Sequence, residues 1–340
     1  ELPYVVKGMD FSFSGITSAA KDAADEGVPV DDLCCGLQET VFAMLTEVAE
    51  RALSLTGHDE LVLGGGVGQN ARLQEMLARM CADRGAAFFV PEARFLADNA
   101  GMIAVLGAMM AEAGDTVAVD ASRVRPDFRP DQVPVTWRTA GSVPRSRDDG
   151  RPVRGAEAIV DIEADHVRKR RRPKPYRHPE LDARLRRRRT AIEARLTHEA
   201  RRLGVPTPVI RDIDPARATI EFERVGEADL QRRPDHEAVA AVGRSLATLH
   251  AAGIVHGDPT PRNVRVDGRT YLVDFGLGYH SDDVEDFAMD LHVLAQSLAG
   301  TADDPEPPTR ALLDAYAGAG DEAVIERLAE IEGRGRYRGE

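Results

Sequence analysis

Lysine is nearly missing from this chain. Only Lys7, Lys21, Lys169 and Lys174 stand among 44 Lys and Arg residues, so a lysine at a functional position draws notice. Cysteine is scarce too. Cys34, Cys35 and Cys81 have neither metal-ligand nor disulfide spacing, which excludes a disulfide-stapled fold and suits a reducing, cytoplasmic setting. Long apolar runs are absent: the longest, Met102 to Ala111, is short and interrupted by Gly107, so no segment is expected to span a bilayer. No signal peptide is visible at the start, and no methionine either; a chain opening at Glu1 reads as a piece or a processed form of something longer. Positive charge is in deficit, with 57 Asp and Glu leaving a net −13. Within that deficit, Arg168 to Arg202 is densely basic, and a cationic patch on an acidic protein points to a polyanionic partner.

What is present is enough for about two domains: 340 residues, 43% of them hydrophobic. Residues 31–56 keep helical spacing, with Asp31 as a plausible N-cap and Gly57 as the stop. Glu60 to Leu63 reads as a strand, Gly64-Gly-Gly-Val-Gly68 as a turn, and Asn70 as the opening of a helix over 71–82. A second strand over 87–90 and a helix over 99–112 follow, so this part is expected to be a sheet with helices packed on it. Periodicity then fails among five prolines between 114 and 154. The expected division is a first domain over 1–139, a linker over 140–153 and a second domain over 154–340.

The second domain carries the chemistry. His256-Gly-Asp258 is followed five residues on by Asn263 and eleven after that by Asp274-Phe-Gly276, with a hairpin pattern around Asp267-Gly268 between. Each piece alone is bland, since Asp before Pro is a common turn. Together they are the parts for phosphoryl transfer from ATP: Asp258 to orient an attacking hydroxyl, Asn263 and Asp274 to hold Mg2+ against the phosphates. Lys169, on a strand pattern, is the candidate cation, although it also fits an ordinary basic face. Glu193 is its candidate partner from a helix, although an ion pair with Arg189 is the plainer use. Gly155-Ala156-Glu157 is a candidate lid over the nucleotide that falls short of a full glycine-rich loop and reads equally as a hairpin turn. After Gly276 an acidic helical stretch arrives almost at once, with no activation segment and no Ala-Pro-Glu. Position 260 is Thr where many protein kinases place Lys. Both features speak against a regulated, broad protein kinase.

Taken together, Gly155-Ala-Glu-Ala158, the run Lys169 to Arg177, Leu181-Asp182, Arg189-Thr190, Glu193-Ala-Arg195, His256-Gly-Asp258, Asn263 and Asp274 to Gly278 resemble the small atypical kinase of the KEOPS complex. Asp258 as base, Lys169 on the phosphates, Glu193 orienting it, and Asn263 with Asp274 on the metal are what that resemblance implies. Arg334-Gly-Arg336-Tyr-Arg338 is similar to the family's basic tail, associated with tRNA, and Arg168, Arg170, Arg171, Arg334 and Arg336 are the tRNA-contact candidates. In the front half, Pro3 to Gly15, Gly64 to Val67 with Asn70, and Asp98-Asn-Ala-Gly-Met-Ile103 resemble the C-terminal part of the KEOPS tRNA threonylcarbamoyladenosine synthase subunit. Archaeal fusions of the two subunits are the nearest overall likeness.

The implied fold is an α/β actin-like portion followed by an α+β, two-lobed, protein-kinase-like domain. The resemblance implies that Asn70 meets threonylcarbamoyl-adenylate and Asp98 ligates Fe2+, with tRNA and other KEOPS subunits as partners. A helix N-cap is the plainer reading of Asp98. The family's paired metal-binding histidines have no counterpart here, since His58 is the only histidine before residue 166. The front half is therefore expected neither to hold iron nor to transfer the threonylcarbamoyl group by itself. Two other readings fit the motifs: a small-molecule phosphotransferase of the aminoglycoside-kinase type, against which the Arg-rich helix argues, and a non-catalytic tRNA-binding scaffold.

The acid-rich, Ala-rich, Arg-over-Lys composition points to a GC-rich genome and a salty cytoplasm. Stability should then depend on salt. Dialysis to low ionic strength, followed by circular dichroism, is expected to unfold the chain; an unchanged spectrum would refute this reading.

Overall fold

In the computed structural model, residues 2–7, 9–126, 128, 132–137, 157–231, 235–301 and 304–335 are described. They divide into two compact units, one of residues 1–39 with 155–340 and one of residues 40–154. The division falls inside a helix.

The chain opens with a ribbon of β1 (Val6–Lys7) and β2 (Asp10–Phe11), antiparallel to each other. Helix α1 (Ser14–Asp25) follows, burying only Ile16 and Ala20. So thin an apolar stripe explains why periodicity alone does not announce it. Helix α2 (Val30–Thr56) begins ahead of Asp31, which sits in the first turn instead of capping it. It ends where Gly57 takes φ +71°, a left-handed conformation suited to glycine.

The 40–154 unit then runs β3 (Glu60–Val62), α3 (Ala71–Arg84), β4 (Ala87–Phe89) and α4 (Ala100–Glu112). β3 and β4 pair in parallel with α3 between them in sequence, a β-α-β unit. Its core gathers Met44 and Leu53 of α2 with Leu73, Met76, Leu77, Met80 and Cys81 of α3. Burial pushes the Cys81 thiol upward, which keeps it protonated and inert. Arg51 bonds buried Glu47 at 2.5 Å and Arg84 reaches Glu50 at 3.6 Å, so the charges enclosed here are paired. Helix α4 has no buried residue, and Ile103 and Val105 are open.

The other unit has two lobes of different construction. In the first, β5 (Ala158–Ile162), β6 (His166–Arg171), β7 (Ile210–Asp214) and β8 (Thr219–Glu223) form an antiparallel sheet in the order β5-β6-β8-β7. Helix α5 (Pro179–Arg202) lies between β6 and β7 in sequence and packs Ala194 against Ile220 and Phe222 of β8. Pro179 at its first position and Glu180 and Asp182 in its first turn favour a helix start, and Arg201 and Arg202 suit its end. Along β6 burial alternates. Arg168 and Arg170 are exposed; Lys169 and Arg171 are buried.

The second lobe has β9 (Ala228–Asp229), α6 (His236–Ala251), β10 (Ile254–Val255), β11 (Val264–Val266), β12 (Thr270–Leu272), β13 (Tyr279–His280), α7 (Val284–Thr301), α8 (Glu306–Ala317) and α9 (Glu322–Gly335). One apolar cluster unites Leu246 and Leu249, Leu291 and Leu294, Leu312 and Tyr316, and Leu328. No helix among the described residues is long and apolar enough to cross a membrane. Where α6 meets α8, a Cβ on Gly243 would stand 2.6 Å from the Leu312 carbonyl oxygen. Gly243→Val should therefore cost about 1–3 kcal/mol, as overpacking does. A denaturant midpoint equal to the parent's would refute that close approach.

Candidate active site

Lys169 owes its position to strand alternation: it points from β6 toward α5, where Glu193 faces it. The Lys169 Nζ donates to Glu193 Oε1 at 2.9 Å and lies 2.6 Å from Asp274 Oδ1. Burial alone would lower the lysine's pKa, but Asp274 and Glu193 outweigh it and hold the ammonium above its ordinary value. Burial would raise Asp274, yet Lys169 and Arg171 outweigh that and hold it below the carboxylate norm. Arg171 Nη2 stands 2.6 Å from the second Glu193 oxygen. Glu193 is thus held by β6, and Arg189 instead pairs with Glu157 at 3.0 Å. The i,i+4 alternative for Glu193 is not the observed pairing.

Asp274 is placed by its own backbone. It adopts φ 68°, ψ 64°, a left-handed conformation that Asp tolerates better than most residues, and its carboxylate accepts from the Gly276 N–H at 3.3 Å. The hairpin β11–β12 pairs Val264 with Leu272, and the Val273 N–H donates to the Asn263 carbonyl at 3.0 Å, so the amide and the second carboxylate are fastened through one ladder. Asn263 Nδ2 donates to both Asp258 O and Asp258 Oδ2 at 2.9 Å.

Behind this loop sits a residue the motif reading passed over. Asp290 of α7, 2% exposed, accepts from the His256 N–H at 2.7 Å and the Gly257 N–H at 2.8 Å. His250 Nε2 faces the same carboxylate at 3.2 Å, and its Nδ1 meets the Tyr316 hydroxyl at 2.8 Å. The sequence signal was an aspartate on a helix face that also carries the buried Phe287, Leu291 and Leu294. Burial holds His256 below its ordinary value, in agreement with a neutral ring: Nδ1 accepts from the Asp258 N–H at 3.3 Å and Nε2 donates to Val273 O at 3.2 Å. Gly257 at φ +80° admits no side chain, because a Cβ would strike the Leu277 carbonyl.

The remaining candidates are scattered. Glu157 is half-buried on Arg189; Gly155, Ala156, Arg336 and the side chain of Arg334 lie outside what the structure describes. Arg168 is exposed but bound to Glu221 at 2.7 Å, while Arg170 is exposed. Arg171 is corrected: at 3% exposure it cannot offer a surface contact to tRNA and belongs to the charge cluster. Asn70 caps α3, its Oδ1 accepting from the Arg72 N–H at 2.9 Å. The cap of α4 is Asn99, not Asp98, and Asp98 is exposed. Gly64, Gly65 and Gly66 have open space around them, so the turn before Asn70 is approachable by a ligand.

Residues 1–105 match the model of the family described as TsaD, tRNA N6-adenosine threonylcarbamoyltransferase. Over 99% of its length the chain is 65% identical to a protein of Natronomonas pharaonis, and 63% identical to one of Haloarcula marismortui, each described as "probable bifunctional tRNA threonylcarbamoyladenosine biosynthesis protein". This chain and those bifunctional proteins are relatives. It spans 64% of the first relative's length and 63% of the second's. Among solved structures, the Rio2 kinase of Chaetomium thermophilum aligns over 54% of this chain and 72% of its own, at 18% identity and a TM-score of 0.37.

Seen beside those relatives, the two implied metals fare differently. Asn263 and Asp274 suit magnesium: both are hard oxygen donors, the Asn263 NH2 is committed to Asp258 so its amide oxygen is the end left for a cation, and Asp274 keeps 40% of its side chain exposed. Magnesium needs only one or two protein oxygens when phosphates and water complete its shell. Iron does not fit. Among the described residues no group of three or more His, Cys, Asp or Glu comes together to hold a metal, and Asp98 has no such company.

Asp290→Ala strips the acceptor from two backbone N–H groups and from His250. It should cost about 3 kcal/mol of stability, because each buried donor left unpaired carries its own penalty. A loss under about 1 kcal/mol in a urea titration would show that the clamp is dispensable.

Proposed function

We propose that this chain serves a bifunctional protein of tRNA modification, and that its second domain, 154–340, is an ATP-dependent phosphotransferase or ATPase acting on the modification machinery. The observation that carries the second part is the charge cluster itself: a buried lysine held between a helix glutamate and the aspartate of an Asp-Phe-Gly turn, next to an Asp258 oriented by Asn263. Such a cluster is an expensive way to stabilise a fold and a direct way to seat phosphates.

In this reading Lys169 Nζ pairs with nonbridging phosphate oxygens, and Glu193 keeps it aimed. Asp258 accepts the proton of the attacking hydroxyl as the oxygen forms its bond to the γ-phosphorus and ADP leaves. Asn263 fixes the rotamer of that carboxylate. Asn263 and Asp274 would hold magnesium, which when bound would neutralise developing charge on the phosphates. Gly155, Ala156 and Glu157 are assigned to the lid over the nucleotide.

We assign the first domain, 1–139, joined through the 140–153 linker, to transfer of threonylcarbamoyl to N6 of the adenosine beside the anticodon, a reading that the family match over residues 1–105 supports. Here the chain contributes Asn70 toward threonylcarbamoyl-adenylate; iron binding, for which Asp98 alone is insufficient, we assign to a complete transferase domain. Other KEOPS subunits and tRNA are the partners, through Arg168, Arg170, Arg334 and Arg336, in the cytoplasm.

The test is ATP cleavage by the purified chain with and without tRNA. Asp274→Ala and Lys169→Met should each lower kcat by about 10²–10³-fold, the range for removing a charge that stabilises the transition state. Cleavage that survives both substitutions would defeat the assignment of this site, and a folded parent that cleaves no ATP would defeat the activity.

A further inference from the structure

Arg171 is a costly residue. It lies two positions beyond Lys169 on β6, on the same inward face, at 3% exposure. Its Nη2 is 2.6 Å from Glu193 Oε2 and its Nη1 is 3.5 Å from Thr190 Oγ1. Yet Nε and Nη2, and Glu193 Oε2 opposite, find no hydrogen bond of good geometry, so the guanidinium is held by charge and packing. A buried cation with an unsatisfied N–H is dear, and an apolar side chain of similar volume would commonly serve stability as well or better. The location suggests what that cost secures.

The far side of the guanidinium rests on the Asp-Phe-Gly turn. A Cβ added to Gly276 would fall on Arg171 Nη2, so the backbone at 276 lies directly against the cation. The Gly276 N–H in turn donates to Asp274 Oδ1, and Asp274 sits in the left-handed conformation at φ 68°. Arg171 therefore touches three elements at once: β6 through its own backbone, whose N–H donates to Ala218 O at 2.9 Å, α5 through Glu193 and Thr190, and the turn through Gly276. Past Gly278 the chain enters β13 and reaches α7 at Val284, leaving no long segment that could fold over the turn and hold it.

We infer that Arg171 is a positioning residue for phosphoryl transfer: its guanidinium ties Glu193 of α5 to the Asp274-Phe275-Gly276 turn and keeps the Asp274 carboxylate presented to metal, a task that needs no activation segment. The inference rests on the phosphoryl-transfer reading for its purpose, though not for its geometry. Arg171 acts through Asp274 and Glu193, and the site stays assembled without a switch.

The experiment pairs hydrogen exchange with metal titration on the full chain. In Arg171→Gln, amides of 274–277 should exchange at least about tenfold faster while the β6–β8 ladder stays protected. The Mg2+ concentration half-saturating the binding of an ATP analogue with a non-cleavable β–γ bridge should rise about 10–100-fold, the usual cost of losing a group that orients a metal ligand. Affinity for that analogue at saturating Mg2+ should remain as in the parent. Gly276→Ala, which intrudes on the guanidinium without removing it, should reproduce both changes, and it decides the matter if Arg171→Gln does not fold. Parental exchange in the turn, an unmoved Mg2+ requirement, or protection lost evenly across β6 and β8 would each overturn the inference. A parent that binds no nucleotide would instead overturn the phosphoryl-transfer reading, and the exchange pattern alone would then decide whether Arg171 holds the turn.

Discussion

Four charges at one junction, three of them buried and the fourth, Asp274, 40% exposed, set the terms for the unit of residues 1–39 and 155–340. Lys169 and Arg171 reach in from one strand, Glu193 from one helix and Asp274 from one turn. No element could move without leaving a buried charge unpaired, and the penalty for that exceeds what a single apolar contact repays. The sheet, α5 and the Asp-Phe-Gly turn are therefore fixed to one another by electrostatics first and packing second. Ile220 and Phe222 pack with Ala194 of α5 beside the arrangement.

A second constraint acts on the backbone. Asp290 holds the loop around Asp258 by accepting two consecutive N–H groups from it. His256 then reaches Val273, on the chain that leads into Asp274, and its ring meets Phe275 at 4.5 Å. The helical lobe thereby governs the geometry of both carboxylates from behind. Glycine at 257 belongs to the same logic, since the chain passes too near Leu277 for any side chain.

Much of this was legible in the residues. The His-Gly-Asp, Asn and Asp-Phe-Gly spacing forecasts which polar groups converge, because short connections leave little freedom for where they go. Lys169 and Glu193, read as a candidate cation on a strand and its candidate partner on a helix, are found together. Arg171 was misread because a run of arginines looks like a solvated face, and only strand alternation separates its buried member from Arg168 and Arg170. Asp290 was missed because two of its partners, the N–H groups of His256 and Gly257, are backbone groups, which leave no mark on side-chain spacing. Helix α1 escaped because Ile16 and Ala20 alone make no stripe. Asp98 and Asn99 compete for one cap, and sequence carries no rule that chooses between adjacent acceptors.

Tyr4 adds a different kind of consequence. It belongs to the stretch that matches the transferase family, yet it falls in one unit with residues 155–340: the Arg177 Nη2 donates to its hydroxyl at 3.4 Å, and the guanidinium groups of Arg177 and Arg189 stand 5.6 and 5.8 Å from its ring. Such cation–ring contacts are worth about 0.5–1 kcal/mol each at partly open sites, far too little to join two separate proteins. Within one polypeptide the tether raises the local concentration to the millimolar range, and weak contacts suffice. A chimaera that swapped the back half between relatives would thus inherit one side of this contact without the other, so Tyr4, Arg177 and Arg189 would have to travel as a set.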